Sequence, residues 1–187
     1  MANILLTNVT GRNLVGNQFG DLIRRGSHVV IFLRHLGCNL TQQLVDDIKA
    51  LEVRYKTELP ITFVSQGTRK FNEVFWEKRY PTAKVIVDTN LAIAKGFNLK
   101  EGSLANIFTA KSMFCSLKAM ANGNFPLGPQ GNIYMMPGIF VYVNGSKVFG
   151  HAAETSSDLP DFEDLVKKYL DKSITDAIAE KNPPKSV

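Results

Sequence analysis

Five consecutive apolar residues, Val-Val-Ile-Phe-Leu at positions 29–33, form the pattern that most restricts how this chain can fold. A run that is apolar without alternation and rich in branched side chains predicts a strand buried on both faces, as in parallel or mixed sheets. Residues 61–64 and 85–87 repeat this kind of run. The sequence therefore predicts an α/β fold built on a central sheet.

Helical patterns separate these three runs. Residues 41–59 place Leu44, Ile48, Leu51 and Tyr55 three to four positions apart, which predicts a long helix with one apolar face. A second helix is predicted around residues 71–78, ending before Pro81, and a short third one at 91–97. Residues 4–9 predict a short first strand, and 13–19 an N-terminal hairpin or turn.

The second half of the chain begins with an irregular stretch, residues 100–132, which we interpret as an insertion containing one apolar helix and a Gly- and Pro-rich loop. Asn144-Gly145 then predicts a tight turn between two antiparallel strands. A final helix is expected with Asp158 as its cap and Pro160 in its first turn. We expect a single domain over residues 1–172 and a flexible tail over 173–187.

Composition narrows the function classes. The 187 residues lack a secretory segment and any apolar stretch long enough to span a membrane, so we expect a cytoplasmic protein without a membrane partner. Two distant cysteines suit a reducing compartment, and neither has zinc-finger neighbours, so no metal is expected. The net charge of +5 comes from scattered basic doublets rather than a stripe, which argues against nucleic acid as a partner.

The order of elements resembles the thioredoxin fold, in which a strand ends at a cysteine, a long helix follows, and a proline precedes an antiparallel hairpin and a closing helix. Four segments together resemble the peroxiredoxin-like proteins of the alkyl hydroperoxide reductase and thiol-specific antioxidant (AhpC/TSA) family. They are Phe-Leu-Arg-His-Leu-Gly-Cys at 32–38, Phe-Val-Ser-Gln-Gly-Thr at 63–68, Val-Asp-Thr-Asn-Leu-Ala at 87–92 and Ser-Asp-Leu-Pro-Asp-Phe-Glu-Asp-Leu at 157–165. The resemblance covers roughly residues 8–170.

This resemblance implies a mixed sheet flanked by helices, a redox-active Cys38, no bound cofactor and an external thiol as reductant. It also implies that Met136-Pro137 is the residue and cis-proline that face the active cysteine, where the Met136 backbone could pair with an extended substrate segment. A homodimer is left open.

Cys38 carries the candidate chemistry. Only a thiolate attacks a peroxide or a disulfide, and a free cysteine, with a pKa of about 8.5, is mostly protonated at neutral pH. A helix that begins just after Cys38 would present unpaired N–H groups to the sulfur, and Arg34 and His35 could add positive charge. The alternative is a buried thiol that merely fills space.

The sequence differs from the family pattern around Cys38, which limits the chemistry expected of this site. Cys38-Asn-Leu-Thr41 cannot form a C-x-x-C disulfide, and His35 and Ile31 stand where peroxiredoxins carry a Thr or Ser and a Pro. Thr41 could supply the missing hydroxyl, although a helix cap is the simpler interpretation. Cys115 lies on the predicted insertion helix, where core packing is favoured over a role as a resolving thiol.

Three functions stay open at this point. The first is a peroxidase that reduces hydroperoxides through Cys38 with an external thiol. The second is a monothiol reductase acting on mixed disulfides. The third is a thioredoxin-fold binding module whose catalytic chemistry has been lost.

Overall fold

Eight helices and six strands make up the part of the chain that the computed structural model describes, residues 2–170. In chain order they are α1 (Ala2–Leu5), β1 (Gly11–Arg12), α2 (Phe19–Ile23), β2 (Ser27–Phe32), α3 (Asn39–Tyr55), β3 (Ile61–Ser65), α4 (Arg69–Arg79), β4 (Val85–Val87), α5 (Ala92–Gly96), α6 (Leu104–Ile107), α7 (Ala110–Ala121), β5 (Gly138–Val143), β6 (Ser146–Ala152) and α8 (Phe162–Tyr169). The predicted domain end at residue 172 and the tail over 173–187 lie outside the described residues.

The strands form one mixed sheet in the order β1-β4-β3-β2-β5-β6. Strand β2 lies inside it, parallel to β3 and antiparallel to β5, while β3 and β4 are also parallel. Strands β5 and β6 form the antiparallel hairpin predicted at Asn144-Gly145, where both residues adopt the positive φ of a tight turn. Together with α3 and α8, these strands confirm the predicted thioredoxin-like α/β fold.

Two apolar layers cover the sheet, as the run at positions 29–33 requires. Val29 and Ile31 face the layer formed with α3, α4 and α8, whereas Val30 and Phe32 face the layer formed with α2 and α5. Because successive side chains of a strand point to opposite faces, the part of β2 from Val29 to Phe32 is apolar on both faces. The buried strand β2 therefore fixes the start of the turn that leads to Cys38.

The predicted N-terminal strand over residues 4–9 is wrong. Residues Ala2–Leu5 form one helical turn, and the predicted hairpin is reduced to an isolated antiparallel bridge between Asn8 and Gln18. Ile4 contacts the second apolar layer from this turn, so a strand is not needed to bury it. The strand that pairs at this edge is β1, which lies antiparallel to β4.

The predicted cap of the final helix is displaced by three residues. Asp161, not Asp158, caps α8 and accepts a hydrogen bond from the Asp164 amide. The Asp158 carboxylate instead accepts from the Glu154 amide in the preceding turn. Both aspartates can cap a helix, and the sequence does not show which of them is already engaged.

The predicted cis peptide bond at Met136-Pro137 is also wrong, because every peptide bond in the described residues is trans. The Met136 amide donates to the Lys100 carbonyl at 3.0 Å, and the Pro137 carbonyl accepts from the Ala153 amide at 3.0 Å. These bonds secure an extended chain on both sides of the proline, and the trans isomer is intrinsically favoured by about 0.5–1 kcal/mol.

None of the helices within residues 2–170 combines the length and the apolar character needed to cross a bilayer.

Candidate functional site

Cys38 lies at the start of α3. The chain leaves β2, turns between residues 33 and 37, and closes this turn with a hydrogen bond from the Cys38 amide to the His35 carbonyl at 2.9 Å. Cys38 is the residue that precedes the first helical residue, with extended backbone angles, and it is only 7% exposed. Its thiol is therefore next to the unpaired N–H groups and the positive end of a long helix.

Arg34 contacts the thiol directly. Its Nη1 donates to the Cys38 Sγ at 3.1 Å, and its Nη2 donates to the Ile133 carbonyl at 2.7 Å. The residue is only 5% exposed, its Nε has no hydrogen-bond partner, and no carboxylate in the described chain lies within ion-pair distance. A buried guanidinium is costly without a counter-ion, and the groups that accept its hydrogen bonds are the Cys38 sulfur and the Ile133 carbonyl.

Gln66 fixes the position of Arg34 and of the loop that Arg34 contacts. The Gln66 side-chain amide donates to the Arg34 carbonyl at 3.1 Å and to the Asn132 carbonyl at 3.0 Å, and its oxygen accepts from the Asn132 amide at 2.7 Å. Gly131 adopts a positive φ of +98° directly against this side chain. Sequence reasoning did not select Gln66, although it lies within the segment at 63–68 that carries the family resemblance.

His35 does not provide the positive charge that the sequence suggested. It is 8% exposed, and burial, followed by the charge of Arg34, lowers the pKa of its imidazole to about 4. The ring is therefore neutral at pH 7, and its Nδ1 has no hydrogen-bond partner. His35 brings a neutral polar ring, not a cation, to the neighbourhood of Cys38.

A cavity of about 500 Å³ opens beside the thiol. Its polar lining includes Cys38, Arg34 and His35, and its other walls are mainly apolar. The apolar residues that line it come from α6, α7 and the loop before β5: Leu104, Ile107, Phe108, Met113, Leu117, Met120, Pro126, Leu127, Pro129 and Ile133. The insertion predicted from the sequence thus forms most of the wall in front of Cys38.

Three of the remaining predicted site residues line a second cavity, of about 380 Å³. Thr41, Cys115 and Pro137 all border it, whereas Cys38 borders the first cavity, and Arg34 and Leu40 border both. Thr41 is the third residue of α3, so its predicted role as the cap is wrong, since Cys38 has that position. Cys115 is partly buried, and both cysteines are free thiols.

Met136 is buried, and its amide is already bonded to Lys100, so pairing of this amide with a substrate segment would require that bond to break.

No cluster of three His, Cys, Asp or Glu side chains that could bind a metal ion occurs among residues 2–170. The chemistry available at the site is that of a thiol, a guanidinium and an imidazole.

Comparisons with known proteins found similar solved structures but no matching sequence. No family model and no curated protein sequence matches the chain. Peroxiredoxin Q of Xanthomonas campestris is similar in structure, with 15% identity, a TM-score of 0.48 and coverage of 97% of this chain and 96% of that one. A cysteine-to-serine mutant of peroxiredoxin 6 of Arenicola marina has 9% identity and a TM-score of 0.48, over 80% of this chain.

The alignment spans 62% of the length of the Arenicola protein, so this chain corresponds to less than two thirds of it. A thioredoxin-like protein solved in its oxidised form has 12% identity and a TM-score of 0.44, with coverage of 95% of both chains. All these identities are low.

Proposed function

We propose that the protein is a peroxiredoxin-like, thiol-dependent peroxidase whose reactive group is the thiolate of Cys38. The observation that supports this most directly is the contact of 3.1 Å between the buried Arg34 guanidinium and the Cys38 sulfur, with no carboxylate of residues 2–170 paired to this guanidinium. A structural thiol needs no such partner, whereas a thiolate is stabilised by a neighbouring cation and by a helix N-terminus. The adjoining cavity gives a substrate access to the sulfur.

In the proposed reaction, the Cys38 thiolate attacks the terminal oxygen of a hydroperoxide. The S–O bond forms as the O–O bond breaks, and the leaving oxygen takes a proton and departs as an alcohol or water. Cys38 becomes a sulfenic acid and the peroxide is reduced by two electrons. An external thiol then forms a mixed disulfide with Cys38 and releases water, and a second thiol restores Cys38 and leaves as a disulfide.

We expect modest rates, since peroxide cleavage requires hydrogen-bond donors aimed at the oxygen on which charge develops. Arg34 and the backbone N–H groups at the start of α3 are the donors proposed here, in place of the Thr or Ser that His35 replaces. Thr41 and Pro137 border the second cavity. The catalytic role of the Thr41 hydroxyl and the substrate-binding role of Pro137 stay predictions. Two free cysteines fit action in a reducing compartment, which we propose to be the cytoplasm.

The test compares the parent protein with Cys38→Ser and Cys115→Ser, measuring alkylation of each thiol and consumption of hydroperoxide with dithiothreitol as reductant. We expect Cys38→Ser to lose all peroxide turnover and Cys115→Ser to retain it. Intact-mass spectrometry after a limited dose of peroxide should show one added oxygen, which maps to Cys38. Turnover by Cys38→Ser equal to that of the parent would refute the proposal.

Two outcomes would assign one of the other functions. Release of glutathione from a mixed disulfide without any peroxide turnover would identify a monothiol reductase that uses the same sulfur. A Cys38 that neither alkylates nor oxidises in the folded protein would identify a binding module. Transfer of the oxidation to Cys115 as a disulfide would give that residue the role of resolving thiol.

A further inference from the structure

Gln66 follows strand β3 at the position that corresponds to Arg34 after strand β2. The two strands are parallel neighbours, and Phe32 lies opposite Val64. Both strands end at the same edge of the sheet, so Arg34 and Gln66, each two positions further along its segment, lie side by side. Gln66 is only 3% exposed. The sheet itself therefore places a buried amide next to the turn that leads into α3.

The Gln66 side chain uses its whole amide to join two segments of the chain. Its nitrogen donates to the carbonyls of Arg34 and Asn132 at 3.1 and 3.0 Å, and its oxygen accepts from the Asn132 amide at 2.7 Å. A reversed amide would set its oxygen against two carbonyl oxygens, so these partners determine its orientation. The Gln66 backbone is held as well, because its carbonyl accepts from the buried Asn72 side chain at 3.0 Å.

Two glycines allow the loop around Asn132 to approach Gln66 this closely. Gly131 has a φ of +98°, and a Cβ added there would lie 2.6 Å from the Gln66 side-chain oxygen. Gly67 has a φ of +93°, and a Cβ added there would lie 3.0 Å from the Gln130 carbonyl oxygen. A side chain at either position would be strained and would crowd the opposite segment. The contact between Gln66 and the loop therefore depends on both glycines.

The same loop also holds the far end of Arg34. The carbonyl of Ile133, the residue after Asn132, accepts from the Arg34 Nη2 at 2.7 Å, while Nη1 donates to the Cys38 sulfur at 3.1 Å. The Arg34 Nε has no hydrogen-bond partner within residues 2–170. A long side chain keeps a single position only where its contacts offset the loss of rotamer freedom. Gln66 is thus connected to both ends of Arg34, directly at the carbonyl and through the loop at the guanidinium.

We propose that Gln66 is a positioning residue that controls the reactivity of Cys38 by holding the Arg34 guanidinium on its sulfur. Gln66 does not line the Cys38 cavity, so its effect reaches the sulfur through Arg34. A small displacement of a group that orients a reacting atom is enough to slow a reaction. This inference rests on the proposed function in one respect, that Cys38 reacts as a thiolate. Alkylation measures that reactivity without peroxide, so the two proposals can fail separately.

The experiment is a double-mutant cycle on Gln66 and Arg34, with every protein carrying Cys115→Ser so that one thiol reports. The measurement is the second-order rate constant for alkylation of Cys38 by iodoacetamide at pH 7. Gln66→Met keeps the length of the side chain but removes its hydrogen bonds, and we expect a rate about three- to tenfold lower. In a protein that already carries Arg34→Met, adding Gln66→Met should change the rate by less than about 1.5-fold, because no guanidinium is left to position.

Gly131→Ala tests the same contact from the side of the loop and should slow alkylation as Gln66→Met does. Gly26→Ala is its matched control, because Gly26 also has a positive φ, of +65°, but a Cβ added there would meet no atom within 4 Å. Thr62→Val is the control for Gln66→Met, since it removes a buried hydrogen bond between β3 and His28, away from Arg34. Both controls should be alkylated as fast as the parent.

An unchanged rate in Gln66→Met would overturn the proposal. So would a loss of equal size with and without Arg34, or an equal loss in Thr62→Val, because either result would mean a general structural role. If urea denaturation shows that Gln66→Met does not fold, Gly131→Ala takes its place in the cycle and the same outcomes decide. Expected rates throughout the cycle without any peroxide turnover would support the role of Gln66 and refute the proposed function alone. A parent Cys38 that is not alkylated would overturn both.

Discussion

Cys38 and Arg34 lie four positions apart in sequence, yet no helix joins them. They meet across the turn over residues 33–37, where the Gln66 side chain donates to the Arg34 carbonyl and the Arg34 side chain donates to the Cys38 sulfur. The sequence predicts a positive charge on both Arg34 and His35. Burial affects the two groups differently, because a buried guanidinium keeps its proton whereas burial lowers the pKa of the His35 imidazole to about 4.

Replacement of Arg34 is the sharpest test at the scale of the residue. Arg34→Met removes the donor to Sγ, and because a hydrogen bond to a charged group contributes about 1.5–3 kcal/mol, we expect Cys38 to be alkylated about tenfold more slowly at pH 7. The measurement is the second-order rate constant with iodoacetamide. Arg25→Met, which removes an exposed arginine, is the control and should not change the rate. An unchanged rate in Arg34→Met would contradict the role given to this residue.

At the scale of the element, the insertion is held on α3 and α4 by a polar cluster. Arg79 donates to the Asp46 carboxylate at 2.6 Å and to the Asn124 side-chain oxygen at 2.7 Å. Asn124 also donates to Asp46 at 3.1 Å, and Gln42 donates to the Phe125 carbonyl at 3.1 Å. The loop that follows α7 is therefore anchored by hydrogen bonds of Asn124 and of the Phe125 carbonyl, while the Phe125 and Leu127 side chains are exposed.

Removal of Asn124 should detach this loop. Asn124 is only 2% exposed, and Asn124→Ala removes its side-chain hydrogen bonds with Arg79 and Asp46, so we expect a loss of about 1–3 kcal/mol in the free energy of unfolding. Urea denaturation measures this loss. Asn122→Ala is the matched control, since Asn122 is exposed and donates to the Gln43 side chain, and it should cost less than about 0.5 kcal/mol. Equal losses would mean that the cluster does not anchor the insertion.

The elements that sequence predicted well are those with a strong pattern. The three buried strands, the helix after Cys38 and the turn at Asn144-Gly145 depend on apolar runs, helical spacing or a specific turn pair, each of which is local. The first strand and the cap of α8 failed because competing partners decide them: Ile4 packs from a helical turn, and Asp158 is engaged elsewhere. Helix α7 was predicted, but the exposure of its apolar face was not.

The separation of Cys38 and Cys115 into neighbouring cavities depends on how α7 crosses α3, which is set by contacts between residues distant in sequence. The sequence identifies both cysteines but does not show whether their sulfur atoms are close enough to form a disulfide.

At the scale of the whole molecule, two histidines are buried without charge in the domain. His28 lies on β2 beside Thr62 of β3, with 2.9 Å between Nε2 and the threonine hydroxyl. Burial, followed by the charge of Lys84, lowers the pKa of His28 to about 4, and burial likewise lowers the pKa of His35 to about 4. His28 lies on β2 and His35 in the turn that follows it, and because folding buries both side chains, their protonation is linked to folding.

This linkage predicts a loss of stability in mild acid. Between pH 6.5 and about 4, the unfolded chain binds a proton at each histidine while the folded protein does not, so stability falls as the pH falls through this window. At about pH 4 the loss is on the order of 3 kcal/mol per histidine. His28→Gln and His35→Gln should each remove part of the slope of unfolding free energy between pH 7 and pH 5, measured by urea denaturation at both values. His151→Gln, which replaces a half-buried histidine bonded to the Asp158 carbonyl, is the control. If the His28 and His35 variants keep the slope of the parent, other groups govern its acid sensitivity.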